Sequence, residues 1–256
     1  MAIDVLTGQA ASMHVADEPC NLLLYGPPGT NKTTDAVQAF TRDGKPRAFF
    51  IQCEPGALKP ILARGIPVPD HPKTVVSTWE DLVDACTYAG QHRDRYDAVI
   101  IDTLTAWNAS VLTILESRGG KNKYLLWTEI RNMLFQLRDG CRALGLHIIY
   151  IAHESMPFID EHTNYHLGGP TLSPKTAIGR FSGGIDTMLR VGYILQGLEI
   201  KRVYFTGGEA WPNELGLPPP DLLKFRIKNR DGVNAAAVPA DLGAYLRMRK
   251  PPYKGL

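Results

Sequence analysis

The chain has 256 residues, of which 44% are hydrophobic and 21% are charged. This length and composition suit one α/β domain, since no second core is needed to bury the apolar residues. A net charge of +2 excludes a global field strong enough to attract nucleic acid, so any such binding has to come from local patches.

Neither a signal peptide nor a membrane span is predicted. Residues 1–20 have no basic start followed by an apolar run, and no stretch of about eighteen consecutive apolar residues occurs elsewhere. The cysteines show no CxxC pairing, which favours reduced thiols in a cytosolic compartment. We therefore expect a cytoplasmic protein that has no membrane partner. The cysteines are Cys20, Cys53, Cys86 and Cys141.

Short apolar runs alternate with segments of helical spacing in the first part of the chain. The runs, at 21–25, 48–52, 98–101 and 147–152, are each followed by a polar or glycine-bearing turn, as is typical of parallel strands buried on both faces. Between them, the segments 33–40, 79–89 and 125–143 carry apolar residues at intervals of three or four. This alternation predicts an α/β fold with a mainly parallel central sheet flanked by helices, and ligands at the carboxyl ends of the strands.

The pattern changes after residue 152. A polar, Gly- and Pro-bearing stretch at 155–184 is too long for an ordinary connection, which indicates a functional or mobile loop. Further strands are predicted at 187–196, 202–206 and 222–228, with a break at 215–220. We divide the chain into an N-terminal extension (1–18), one domain (19–246) and a C-terminal tail (247–256).

The segment GPPGTNKTT follows the first predicted strand directly and opens a helix, which is the context that a phosphate-binding loop requires. Backbone amides would surround the β-phosphate at the positive end of the helix. Lys32 is placed to reach β and γ oxygens, and Thr33 supplies a hydroxyl for magnesium. The expected phosphate-binding residues are Gly26, Pro27, Pro28, Gly29, Thr30, Asn31, Lys32, Thr33 and Thr34.

One position departs from the Walker A pattern, because Asn31 stands where a glycine normally precedes the lysine. Asparagine is the non-glycine residue that best tolerates positive φ, so the loop is still expected to form, at some cost in strain. The alternative is an ordinary Gly/Pro turn before a helix. Strand, lysine, hydroxyl and helix all fall at the required offsets, which favours the phosphate site.

Two acidic residues lie at the ends of predicted strands. Asp102 ends the run YDAVIID and would hold magnesium, directly or through water, as Walker B acids do; a helix cap is the alternative. Glu54 follows the strand at 48–52. At that edge of a sheet its carboxylate would orient or deprotonate an attacking water, and a solvated loop glutamate is the alternative.

The order of these features resembles the RecA-like ATPase core, and more closely the small core-only RecA-like ATPases of phages that act in recombination and single-strand annealing. Over about residues 19–245 the chain has, in this order, a P-loop, a strand followed by Glu54, a strand that ends in Asp102, a long helix and a strand that ends in His153. The resemblance implies ATP and Mg²⁺ as ligands and Glu54 as the catalytic glutamate. It makes His153 the sensor of the γ-phosphate, where RecA usually has glutamine; a hydrogen-bonded strand-end residue is the alternative.

The resemblance also implies a site shared between the subunits of a ring or filament. The segment FRIKNRDG resembles the strand by which RecA-like subunits insert basic side chains into the neighbour's nucleotide, and Lys228 and Arg230 match that pair. Alternation puts both on one face of a strand, where they would stabilise charge that develops on a γ-phosphate. A solvent-facing basic edge is the alternative.

Two loops of the RecA-like pattern reach DNA, and they correspond here to residues 115–124 and 155–184. Basic side chains suit the phosphates of single-stranded DNA, and aromatic ones suit its bases. The basic residues are Arg118, Lys121 and Lys123 in the first loop and Lys175 and Arg180 in the second. The aromatic residues are Phe158, Tyr165 and Phe181, and the acids Glu154, Asp160 and Glu161 make the second loop mixed in charge.

Three functions fit these features. The first is an oligomeric, DNA-stimulated ATPase of phage recombination, annealing or replication, in the cytoplasm of a bacterial host, with single-strand-binding or replication proteins as partners. The second is a motor domain like those of hexameric helicases, which usually carry an additional N-terminal domain. The third is a nucleotide-dependent assembly switch with little hydrolysis, which Asn31 favours because a strained loop binds nucleotide less well.

Overall fold

The computed structural model describes residues 19–118, 122–155, 158–159, 165–166, 169–174, 177–196, 198–205, 227–228, 234–235 and 237–248. Its helices are α1 (Lys32–Ala39), α2 (Lys59–Ala63), α3 (Trp79–Gln91), α4 (Leu104–Ser117), α5 (Lys123–Arg142), α6 (Ala177–Phe181) and α7 (Leu242–Met248). The strands are β1 (Asn21–Gly26), β2 (Thr41–Arg42), β3 (Lys45–Pro46), β4 (Ala48–Gln52), β5 (Ala98–Asp102), β6 (His147–Ser155), β7 (Phe158–Ile159), β8 (Tyr165–His166), β9 (Gly169–Pro170), β10 (Thr187–Gln196), β11 (Glu199–Phe205), β12 (Ile227–Lys228), β13 (Asn234–Ala235) and β14 (Ala237–Pro239).

The central sheet has the strand order β14-β11-β10-β1-β6-β5-β4, and β9 pairs with β6 in addition. From β10 to β4 all neighbouring strands are parallel, whereas β11 and β14 join in antiparallel orientation. Parallel neighbours need crossover connections, and these carry the helices that cover the sheet. The predicted α/β P-loop NTPase fold, a mainly parallel central sheet flanked by helices, is confirmed.

Each face of the sheet is covered by its own hydrophobic layer, because successive side chains of a strand point to opposite faces. On one face the sheet packs against helices α3 to α6, and on the other it packs against α1, α2 and α7. The strands are therefore buried on both sides, which explains their continuous apolar sequences. Large buried side chains on these helices are Leu82, Trp107, Ile130, Leu134 and Phe181 on the first face, and Val37, Ile61, Leu242 and Tyr245 on the second.

The observed elements differ from the predicted ones at several boundaries. Helix α4 is an addition, strand β6 runs three residues further than predicted, and β11 begins at Glu199 rather than at residue 202. The stretch 155–184 contains β7, β8, β9, α6 and a 3-10 turn at Ser182–Gly184. Helix α7 ends at Met248, two residues inside the predicted tail. None of the helices in the described ranges is long and apolar enough to cross a membrane.

Candidate active site

The parallel strands end at one edge of the sheet and bring the predicted site residues together. Gly26 at the end of β1 lies opposite His153 of β6, and Asp102 at the end of β5 lies opposite Gln52 of β4. Glu54 comes two residues after β4, at the same edge. Together with the loop after β1, Glu54, Asp102 and His153 line a cleft of about 230 Å³, where a parallel sheet is expected to bind its ligand.

The loop between β1 and α1 is shaped by three residues with positive φ. Gly26 (φ 154°) has to be glycine, because a Cβ at this position would lie 2.6 Å from the carbonyl oxygen of Val191. Gly29 has a φ of 78° and Asn31 a φ of 63°, in the left-handed region that favours glycine. Asn31 therefore adopts the conformation expected of it, and the Arg64 guanidinium donates to its Oδ1 at 2.7 Å.

The Lys32 ammonium lies inside this loop, and the residue is only 6% exposed. Its Nζ donates to the carbonyl oxygens of Gly26 and Pro27 at 2.9 and 2.8 Å. Burial lowers the pKa of Lys32, and the nearby carboxylates, Asp102 foremost, oppose that shift. A buried ammonium whose closest partners are neutral oxygens is complementary to an entering anion. The loop therefore fits a nucleotide phosphate.

Thr33 and Asp102 connect the start of α1 to the end of β5. The Thr33 hydroxyl donates to Oδ2 of Asp102 at 2.6 Å, and Asp102 is almost fully buried. Burial raises the pKa of Asp102 to about 7, and the hydrogen bond from Thr33 opposes this rise. A hydroxyl and a carboxylate are oxygen ligands of the kind that Mg²⁺ takes beside substrate phosphates. The two side chains therefore fit a magnesium ion.

Glu54 and His153 face each other in the cleft. Oε2 of Glu54 lies 3.5 Å from Nε2 of His153, and each side chain is about one third exposed, so water reaches both. Nδ1 of His153 is buried and has no hydrogen-bond partner within the described part of the chain. The pair thus places a carboxylate, which can accept a proton from water, beside an imidazole that can donate a hydrogen bond.

His153 is held from behind by helix α4. Its backbone N–H donates to Oγ1 of Thr105 at 3.0 Å, the Thr105 hydroxyl donates to the carbonyl of Thr171 at 2.8 Å, and the Thr171 N–H donates back to the carbonyl of His153 at 2.8 Å. Asn108, one turn further along α4, makes two hydrogen bonds with the backbone of Ser173 at 2.9 and 2.6 Å. These hydrogen bonds connect helix α4, strand β6 and the connection that follows β6.

A buried ion pair lies directly after His153. The Arg190 guanidinium of β10 donates to the carboxylate of Glu154, and both side chains are at most 4% exposed. Burial raises the pKa of Glu154, and the hydrogen bond from Arg190 opposes the rise. The prediction that Glu154 adds to the acidic charge of a DNA-facing loop is therefore wrong. Glu154 belongs to β6, and a carboxylate buried there needs a cationic partner.

The predicted DNA-binding residues are described only in part. Arg118 is exposed at the end of α4, Lys123 begins α5, and Arg180 lies in α6. Lys121 and Lys175 lie outside the described residues, as do the side chains of Lys123 and Arg180. Much of the first predicted loop is thus the end of one helix and the start of the next. Its first residue, Leu115, is buried in the core.

One aromatic residue proposed to stack on bases does not face solvent. Phe181 is fully buried, and its ring meets that of Tyr150 edge-on with 5.3 Å between centroids. The prediction was wrong because α6 turns this residue toward the sheet together with Ala177. Phe158 and Tyr165 belong to the paired strands β7 and β8, and their side chains lie outside the described residues.

The two basic residues expected to act across a subunit interface are not described as side chains. Lys228 ends the short strand β12, and Arg230 lies outside the described residues. Their role stays a prediction.

Three residues near the cleft were missed by reasoning from sequence. They are Arg64 and Thr105, described above, and Arg202 of β11, whose guanidinium contacts the loop at Thr30. No local pattern identifies any of them, because each acts through a partner at least 33 residues away.

Residues 18–210 match a family model described as an AAA domain, which covers more than half of the chain. Among solved structures, the crystal structure of the RadB recombinase is similar, with a TM-score of 0.43 and 17% identity over 73% of this chain and 80% of that chain. A KaiC-like protein from the archaeon Pyrococcus horikoshii has a TM-score of 0.40 and 14% identity over 73% and 78% of the two chains. No curated protein matches the chain.

Proposed function

Because the chain belongs to the AAA domain family, we propose that it is a Mg²⁺-dependent ATPase that acts on single-stranded DNA in recombination, annealing or replication. At a coarser level, the family match and the sheet order give a RecA-like P-loop ATPase core. The closer relation to phage core-only ATPases, the cytoplasmic location in a host cell and the domain bounds 19–246 belong to the proposal.

The observation that carries the ATPase proposal is the 2.6 Å hydrogen bond between Thr33 and Asp102. It brings two oxygen ligands for Mg²⁺ to the same end of the cleft as the buried Lys32 ammonium. Mg²⁺, when bound by these two residues, would neutralise charge on the phosphate oxygens. Lys32 would exchange its loop carbonyls for β and γ oxygens, with which it makes stronger, charge-assisted hydrogen bonds.

Glu54 is the proposed general base. Its carboxylate lies in the same cleft as Lys32 and Asp102, and it is sufficiently exposed for a water molecule to reach it. Glu54 would orient this water and accept its proton as the water attacks the γ-phosphorus. His153, 3.5 Å from Glu54, would donate a hydrogen bond to a γ oxygen and so register whether the triphosphate is intact.

The DNA and assembly parts of the proposal have separate support. Exposed Arg118, at the end of α4, and the start of α5 at Lys123 suit a phosphate backbone. The hydrogen bonds through Thr105 give a physical link from the cleft to the connection after β6. Self-association into a ring or filament, with Lys228 and Arg230 reaching a neighbour's nucleotide, rests on the resemblance to RecA-like proteins.

A second function, the assembly switch with little hydrolysis, has one specific observation in its favour. Asn31 is held in the left-handed region with its side chain bonded to Arg64, and a loop fixed in this way need not be optimal for the transition state.

The test is a measurement of phosphate release from ATP, with and without a single-stranded oligonucleotide. We expect wild-type protein to hydrolyse ATP in the presence of Mg²⁺, with stimulation by DNA, and Lys32→Ala to lose about a hundredfold or more in rate. Lys45→Ala, which removes an exposed lysine on β3 that does not line the cleft, is the matched control and should behave as wild type. A near-zero wild-type rate under both conditions would favour the switch, whereas a rate indifferent to DNA would remove only the DNA part.

A further inference from the structure

The guanidinium group of Arg202 on β11 joins the loop between β1 and α1 to two other parts of the molecule. Nη1 donates to the carbonyl of Thr30 at 3.0 Å and to Oδ2 of Asp35 at 2.7 Å. Nη2 donates to Oδ1 of Asp35 at 2.7 Å and to the carbonyl of Ala240 at 2.9 Å. Arg202 therefore links the loop, helix α1 and the segment before α7.

The partner carboxylate is fixed in turn. Asp35 lies in the first turn of α1, and its side chain is 6% exposed. It also accepts a hydrogen bond at 2.6 Å from the hydroxyl of Tyr204, two residues further along β11. A two-pronged Arg–carboxylate pair, buried and supported by a third group, holds the guanidinium plane in one orientation. That orientation decides where the remaining N–H groups point.

The bond to Thr30 acts on the peptide group that joins Thr30 to Asn31. In a trans peptide the carbonyl and the N–H point in opposite directions, so holding the Thr30 carbonyl also sets the direction of the Asn31 N–H. The next carbonyl, that of Asn31, accepts from the Asp35 N–H at 3.0 Å, and the Asn31 side chain accepts from Arg64. Asn31 is thus restrained at the preceding peptide, at its own carbonyl and at its side chain, in a conformation that a non-glycine residue rarely adopts.

We propose that Arg202 is a positioning residue for nucleotide binding, which holds the Thr30–Asn31 peptide so that the Asn31 amide faces the phosphates. A standard P-loop has glycine at this place, which enters the left-handed region without strain. Here the left-handed conformation of asparagine is supported from outside the loop by a side chain 172 residues away in sequence. The inference rests on the proposed nucleotide-binding function and extends it to β11.

The experiment compares affinity for N-methylanthraniloyl-ADP with Mg²⁺ across four proteins: wild type, Arg202→Lys, Asn31→Gly and the double variant. Lysine keeps the charge but cannot make the two-pronged pair and the Thr30 contact together. We expect Arg202→Lys to weaken binding about tenfold when residue 31 is asparagine, and about threefold or less when it is glycine, since glycine needs no support. Lys201→Ala, an exposed neighbour on β11, is the matched control and should change neither affinity nor melting temperature.

The outcomes separate the possibilities. Arg202→Lys could lower the melting temperature and yet leave the affinity for N-methylanthraniloyl-ADP unchanged at temperatures where the variant is folded. Arg202 would then be only structural, and the inference would be overturned. Equal losses of affinity in the asparagine and glycine backgrounds would overturn it as well, since Arg202 would then act elsewhere than on this peptide. Absence of binding by wild type, matching Lys32→Ala, would reject the proposed function itself and the inference with it. Should Arg202→Lys not fold, Arg202→Gln permits the same comparison of backgrounds.

Discussion

Asp102, at the end of β5, is an ionisable carboxyl group that the fold buries. The carboxyl group is 2% exposed and has the Thr33 hydroxyl as its side-chain partner. Burial raises its pKa to about 7, well above the value of about 3.9 expected in an unfolded chain. Between the unfolded and the folded pKa, the Asp102 carboxyl group of the metal-free folded protein is therefore protonated, whereas that of the unfolded chain is ionised.

This difference predicts a pH dependence of stability. A group whose pKa is raised by folding contributes stability at low pH and loses it as pH rises through the folded pKa. Asparagine does not titrate, so only the wild type loses this contribution. Without metal and nucleotide, the free energy of unfolding of wild type should therefore fall by about 3 kcal/mol relative to that of Asp102→Asn as the pH rises from 5 to 8. Urea denaturation at the two pH values measures this, with the exposed Asp94→Asn as control; parallel profiles for wild type and Asp102→Asn would contradict the prediction.

At the residue scale, sequence predicts those positions whose role depends on neighbours in the chain. Lys32, Thr33 and Asn31 are identifiable because strand, loop and helix follow one another directly. Arg202 and Thr105 are not, because their partners are 172 and 66 residues away, and only the folded sheet brings them together. Phe181 shows the converse error, since an aromatic residue in a polar stretch reads as exposed while its helix turns it into the core.

Helix α4 connects the end of β5, where Asp102 lies, to strand β6, where His153 lies. It begins two residues after Asp102, with the Thr103 hydroxyl accepting from the Ala106 N–H at its N-terminus. Only Thr103 separates β5 from α4. No Gly or Pro marks this boundary, so the helix is not predictable from the local sequence. Its Thr105 hydroxyl both accepts from the His153 N–H and donates to the Thr171 carbonyl.

Replacing this hydroxyl tests the connection. Thr105→Val keeps the shape of the side chain but leaves the His153 N–H and the Thr171 carbonyl without their partner. We expect a loss of about 1–2 kcal/mol in free energy of unfolding, measured by chemical denaturation, together with a lower kcat for ATP. Thr105→Ser retains the hydroxyl and should stay close to wild type in both respects. If the valine and serine variants behave alike, the Thr105 hydroxyl does not hold strand β6 in place.

Element boundaries were predictable where burial dictates them. Strands β1, β4, β5 and β6 are recognisable in the sequence as apolar runs, because parallel strands are covered on both faces. The error at the end of β6 has a specific cause: His153, Glu154 and Ser155 are polar, so they read as loop, yet the strand continues because β9 pairs there and Arg190 neutralises Glu154.

For the molecule as a whole, the sheet order explains why the residues proposed for catalysis line one cleft. Strand β6 lies between β1 and β5, and β4 lies beyond β5, so the loop after β1, His153, Asp102 and Glu54 line one cleft. These residues are spread along the sequence from Gly26 to His153, so their distance along the chain does not show that they lie close together. The alternation of strands and helices does predict it, since parallel strands present their carboxyl ends at one edge.

We propose above all that this edge of the sheet both binds ATP and hydrolyses it, with Glu54 as the base. The most direct measurement determines, on wild type and Glu54→Gln, the affinity for ATP with Mg²⁺ and the rate of phosphate release. Glutamine keeps the size of the side chain and one oxygen that accepts hydrogen bonds, but it cannot take up the proton from water. We predict affinity within about threefold of wild type and a loss of about a hundredfold or more in hydrolysis. Hydrolysis by Glu54→Gln at the wild-type rate would contradict the account.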